Sequence, residues 1–123
     1  MDRHALFYLA FAFLMGHELD AMTQQEWRLL PLLNLMDGEA ARAAFVAIHV
    51  PAIFALLWWN GRGGAVFHAA FGGFCAIHAG VHWAFHGHPL YTFHSALSEA
   101  MIGGAGIVGA ALAVLSLRRL HGA

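Results

Sequence analysis

His78, His82 and His86 stand four residues apart in an otherwise apolar run. On a helix they form a ladder of imidazoles on one face, about 6 Å apart. Elsewhere His17 is followed directly by Glu18, His49 precedes Val50-Pro51, and Glu99 begins a long apolar stretch. Imidazole and carboxylate together suit zinc, iron or manganese. They are also the usual general acids and bases. Three histidines with one open position activate water on zinc, and Glu18 or Glu99 would then act as base. Polar groups in apolar helices are costly, so these side chains need partners or a ligand.

The elements that carry them follow from composition. The chain is 60% hydrophobic and 11% charged, and its mean hydropathy is positive, outside the usual range of soluble domains. Charge, Pro and Gly clusters mark off four apolar stretches, roughly 5–22, 41–59, 64–86 and 95–117. Each is close to the roughly 20 residues that cross the hydrocarbon core as a helix. The expectation is an all-α, integral membrane antiparallel four-helix bundle, with the whole of 1–123 as one transmembrane domain in contact with membrane lipid. A formal net charge of −1 without any lysine leaves no electrostatic footprint for nucleic acid, and that class is excluded. Cys75 is the only cysteine and reads as a buried apolar thiol.

Arginine placement sets the expected orientation. Arg3, Arg62, Arg118 and Arg119 fall on one side and Arg28 and Arg42 on the other, which puts both termini in the cytoplasm. The start could pass for a signal peptide, but His-Glu-Leu-Asp follows in place of a small-residue cleavage site, so the first helix is read as retained. The loop from Thr23 to Ala40 alternates leucines with Glu26, Arg28 and Asn34 and should lie in the interface, roofing the outer helix ends. Asp37 offers an N-cap for the second helix, and Thr92 or Ser95 one for the fourth. Pro51 frees the carbonyl of Ala47 beside His49. Gly72, Ala76 and Gly80 form a small-residue seam, and Gly103, Gly104, Gly106 and Gly109 make the fourth helix a packing surface. That surface serves the bundle itself or a homodimer equally well.

Threading four spans up and down brings His17, Glu18, His49, His78, His82 and Glu99 into one half of the bundle, the outer one. Satisfied but unrelated polar residues would sit at mixed depths. The expected ligands of a divalent transition metal, zinc or iron, are His17, His49, His78 and His82, with Glu18 and Glu99 as catalytic carboxylates on a lipid or apolar substrate. His86, His88 and His94 belong to an outer rim that water satisfies, and His68 is structural or inner-facing. Other readings stay open. A haem b between His49 and His78 would leave both glutamates unexplained. An ion pathway finds only His4, Tyr8 and His68 in the inner half. A ligand-free hydrogen-bond network is the remaining alternative.

The run His17-Glu18-Leu19-Asp20-Ala21-Met22, with Glu26-Trp27-Arg28 and Leu30-Pro31-Leu32, resembles an uncharacterised family of small bacterial integral-membrane proteins, a domain of unknown function. The likeness continues through His49-Val50-Pro51, Ile77-His78, His82, His88-Pro89-Leu90-Tyr91 and Gly103-Gly104-Ala105. The resemblance implies a four-helix protein of the bacterial cytoplasmic membrane and no particular chemistry. The HxxxH pair also looks like that of membrane hydrolases of the ceramidase-like group, an analogy that does not carry function.

Overall fold

The computed structural model describes residues 2–122. Four helices follow one another, α1 (Arg3–Gln24), α2 (Gly38–Asn60), α3 (Gly64–Phe85) and α4 (Ala96–Leu120). Short 3₁₀ turns at Glu26–Arg28 and Leu33–Leu35 lie between α1 and α2, and there is no strand among the described residues. All four helices are long and apolar enough to cross a membrane, and the chain is a multi-pass membrane protein. Capping carries the helices a little beyond their apolar stretches. The Asp2 carboxylate accepts from the Ala5 amide at 2.8 Å, Asp37 from Ala40 at 3.0 Å, and the Ser95 hydroxyl from Ser98 at 3.0 Å. Thr92 has a different task, donating to the Gln24 carbonyl at 3.1 Å and so tying the α3–α4 loop to the end of α1.

Lipid tails are as apolar as leucine, so close backbone approach, more than burial, holds such helices together. The seam is built accordingly. A β-carbon at Gly72 would collide with the Gly109 carbonyl, one at Gly109 would lie 2.8 Å from the Gly72 carbonyl oxygen, and one at Gly106 would meet the Ala79 side chain at 2.6 Å. Gly104 receives the Phe13 ring and Gly16 the Met101 sulfur, whereas Gly80 opens on free space. These pairs run in opposite directions along the chain, so α1 and α3 are antiparallel to α4. Three of the glycines of α4 are thereby taken up within the chain. By contrast, α2 touches the other helices sparsely and leans chiefly on the 3₁₀ turns. It leaves Ile48, Val50, Phe54 and Leu57 on an exposed apolar face.

Two apolar clusters result. One holds Leu6, Phe7, Ala10, Leu14, Phe71, Cys75 and Leu112 near the chain termini, with Cys75 buried as expected. The other, at the loop end, holds Ala21, Trp27, Ala41, Phe45, Tyr91, Phe93 and Ile102. Between Leu14 and Ala21 on the same buried face of α1 comes His17.

Candidate metal centre

The buried face of α1 repeats at Phe7, Ala10, Leu14, His17 and Ala21, and that of α3 at His68, Phe71, Cys75 and His82. With this spacing His17 is turned inward against α3, and His78 and His82 are turned back towards it. The ring centroids of His17 and His82 are 4.7 Å apart, those of His78 and His82 4.7 Å, and those of His17 and His78 5.0 Å. The fourth member comes from the loop. Gln25 ends α1 in the left-handed conformation at φ 56°, its amide capping the Ala21 carbonyl, and the 3₁₀ turn that follows folds Glu26 back over the helix end. Trp27 anchors this turn in the loop-end cluster.

Glu26 lies across two imidazoles, with Oε2 3.5 Å from His17 Nε2 and Oε1 3.4 Å from His82 Nε2. One ligand atom from each of His17, Glu26, His78 and His82 falls within 4.8 Å of all the others. Both ring nitrogens of His17, Oε2 of Glu26, Nε2 of His78 and Nδ1 of His82 are buried without a hydrogen-bond partner. Each such group costs about 1–3 kcal/mol when left unsatisfied. Ligands held 2.0–2.1 Å from a tetrahedral zinc are about 3.3 Å from one another, close to the two Glu26–histidine separations. This His/Glu group could hold a metal ion. Burial alone would raise the Glu26 carboxyl, but the facing imidazoles of His17 and His82 bring it down to about 2, so it is an anion at neutral pH. Phe93 covers the group, its ring 5.3 Å from that of His17 and 4.9 Å from that of His82, and keeps water off.

The comparison with family models matches residues 3–119 to a family of unknown function, DUF6713. The chain belongs to that family. No curated protein and no solved structure matches it. The family covers every residue of the site just described and assigns none of them a role.

The expected site residues divide into three places. His17, His78 and His82 meet as one group, joined by Glu26. His49 pairs with Glu18, Nε2 to Oε2 at 2.8 Å, while its Nδ1–H donates to the Phe45 carbonyl at 2.6 Å. Both nitrogens are therefore engaged, and His49 does not join the four-residue group. Glu18 follows His17 by one residue and points about 100° around the helix, towards α2 and away from α3. The same rule separates Ser98 from Glu99. Ser98 is buried and donates to Asp20 on α1, whereas Glu99 is exposed and faces His86 with 3.8 Å between Oε1 and Nε2.

A cleft of about 460 Å³ nevertheless joins two of these places. Glu18, His49, Glu26 and His78 all line it, together with Leu30, Pro31 and Leu32 of the loop and Phe45 and Ile48 of α2. A smaller hollow of about 280 Å³ lies on the other side of the Glu18–His49 pair, walled by Met15, Met22, Val46 and Ile53.

Glu26 is the member of this group that the sequence reading leaves out, as one polar residue among the leucines of an interfacial loop. The available signal was that same setting, since a carboxylate between apolar neighbours in a chain without lysine needs a partner as much as one inside a helix does. At the opposite end of the bundle His68 is buried and bonded through Nε2 to Asn60 Oδ1 at 2.8 Å. There Ser116 of α4 is buried too, so this half is less apolar than its sequence reading.

Proposed function

We propose that the protein holds one divalent transition-metal ion, zinc or iron, between His17, Glu26, His78 and His82, and uses it on an apolar, carbonyl-bearing substrate that reaches the cleft from the lipid. The observation that carries this reading is the buried group of four ligand atoms within 4.8 Å of one another. Its unpartnered nitrogens and oxygen have no use in a ligand-free network.

A metal there would supply Lewis-acid polarisation of a carbonyl or of water. The chain's own contribution is the Glu18–His49 pair on the same cleft. The Phe45 carbonyl can only accept, so Nδ1 of His49 carries a proton, and Glu18 and Nε2 share one further proton between them. A pair that is neutral as a whole can give up or take that proton in an apolar setting without burying a net charge, which suits a general acid–base. Leu30, Pro31, Leu32 and Ile48 favour an acyl chain beside the reacting group. The haem alternative would need Nε2 of His49, which Glu18 occupies.

The placement of Arg3, Arg62, Arg118 and Arg119 at the terminal end, against Arg28 and Arg42 at the loop end, supports a bacterial cytoplasmic-membrane orientation with both termini inside and the metal site near the outer face. A second reading has a specific observation behind it. Four protein ligands fill a tetrahedron, as in structural zinc sites. Elemental analysis of detergent-purified protein tests the metal, and less than about a tenth of an equivalent after metal supplementation would sink it. The visible spectrum of the cobalt-substituted protein then separates the two uses. An apolar amide or ester added to the cleft perturbs a site that does chemistry and leaves a closed structural one unchanged.

A further inference from the structure

The rim above the buried group carries a second set of metal-ligating side chains. We propose that His86, His94 and Glu99 form a surface site for a divalent transition-metal ion, from which the ion passes to the buried ligands by way of His82. The delivery step rests on the metal reading above, whereas the rim site stands on its own geometry.

Nδ1 of His94 and Nε2 of His86 are 3.3 Å apart, the separation of two ligands on a tetrahedral ion. The other nitrogen of His94 faces the Tyr91 carbonyl at 3.1 Å. A carbonyl accepts only, so Nε2 bears the proton and Nδ1 accepts from the Nε2–H of His86. An ion bound to both nitrogens would displace that one shared proton, which a backbone amide donor does not allow. Fixing the ligand nitrogen by bonding the opposite N–H to a backbone carbonyl is the usual arrangement of a metal-binding histidine. Glu99 adds a carboxylate oxygen 3.8 Å from Nε2 of His86, on a side chain that is more than half exposed. Nearby His88 does not compete for the ion, because its Nδ1 accepts from the Leu90 amide at 3.2 Å.

The route inward is equally direct. His86 lies one turn beyond His82 on the same line of α3, about 6 Å further along the axis. A cavity of about 620 Å³ is lined by both of them, with Glu99, Tyr91 and Trp83. Phe93 packs against His17 and His82, and the two other openings that reach the group, the α2-side cleft and a hollow of about 270 Å³ at Glu26 and His82, are lined mainly by apolar side chains. The polar way in is through the rim.

The test uses the full-length metal-free protein in detergent and Zn²⁺ as the probe, with Co²⁺ absorbance to follow loading in time. The parent should take up a second, weaker equivalent of Zn²⁺ beyond the buried one, and His94→Ala should abolish that second equivalent. His94→Ala should load the buried site to the same final stoichiometry as the parent, but at least about tenfold more slowly, the low end of what local concentration of an ion adds to an on-rate. A second, weaker equivalent that is missing from the parent, or that persists unchanged in His94→Ala, overturns the rim site. A loading rate for His94→Ala within a factor of about two of the parent overturns delivery, tenfold being the least expected. Loss of the buried equivalent is a different result, read from final stoichiometry, and it would strike the proposed function alone. Both rim histidines are exposed, so helical content by circular dichroism should be unaffected in their variants.

Discussion

Comparing His82→Ala with His49→Ala separates the structural ligand set, which lacks His49, from the one built on sequence alone. A metal present at about a hundred times its dissociation constant stabilises the folded protein by about 2.7 kcal/mol. For a chain of 123 residues that corresponds to a rise in melting temperature of about 10 °C. Outer-shell changes already weaken metal sites by about 10–100-fold, so loss of one of four direct ligands should weaken this one at least about a hundredfold. At the same free metal the stabilisation then falls to about 0.4 kcal/mol, a shift below about 2 °C. The assay is thermal unfolding in detergent followed by tryptophan fluorescence, with and without zinc. His49→Ala should keep the full zinc shift, because both ring nitrogens of His49 are already engaged with Phe45 and Glu18. His68→Ala, bonded to Asn60 at the other end of the bundle, should keep it as well. A full shift in His82→Ala, or its loss in His49→Ala, would refute the placement of the site.

Glu18→Gln should retain the metal by elemental analysis while lowering turnover of an apolar amide or ester by about 10²–10⁴-fold, the usual contribution of a positioned acid–base group. Equal loss of metal would make Glu18 a ligand instead. Gly72→Val should destabilise the α3–α4 seam by about 1–3 kcal/mol, because the added side chain meets the backbone of Gly109 and Ala113. Gly80→Ala, which opens on free space, should melt like the parent. Because the Glu26 carboxyl is lowered from 4.5 to about 2, its stabilising contribution in the metal-free protein is fully present above about pH 4.5 and is lost as pH falls towards 2. The difference in melting temperature between the parent and Glu26→Gln should therefore shrink on acidification below that point, and a difference that grows would contradict the assignment.

Much of this protein was legible before folding. Four apolar stretches of membrane length dictate four helices, because a backbone in lipid must satisfy its own hydrogen bonds. Alternation of the spans put His17, Glu18, His49, His78, His82 and Glu99 at one end, and the capping roles of Asp37 and Ser95 followed from residue type. The HxxxH spacing on α3 likewise gave two neighbouring imidazoles without any tertiary information. Depth along the axis is a property of sequence position. The direction in which a side chain points across the bundle is not, since it depends on which helices become neighbours. That choice fell to the glycine contacts that lock α3 and α1 onto α4 and leave α2 at the side. It sent His17 to the centre and Glu18, one residue later, to the lateral cleft with His49. It likewise left Glu99 on the rim with His86. The turn at Gln25 then brought in Glu26, whose partners are set by the path of a loop and not by any periodicity. Sequence therefore determined the spans and the end at which the polar residues gather, and tertiary packing decided which of them meet.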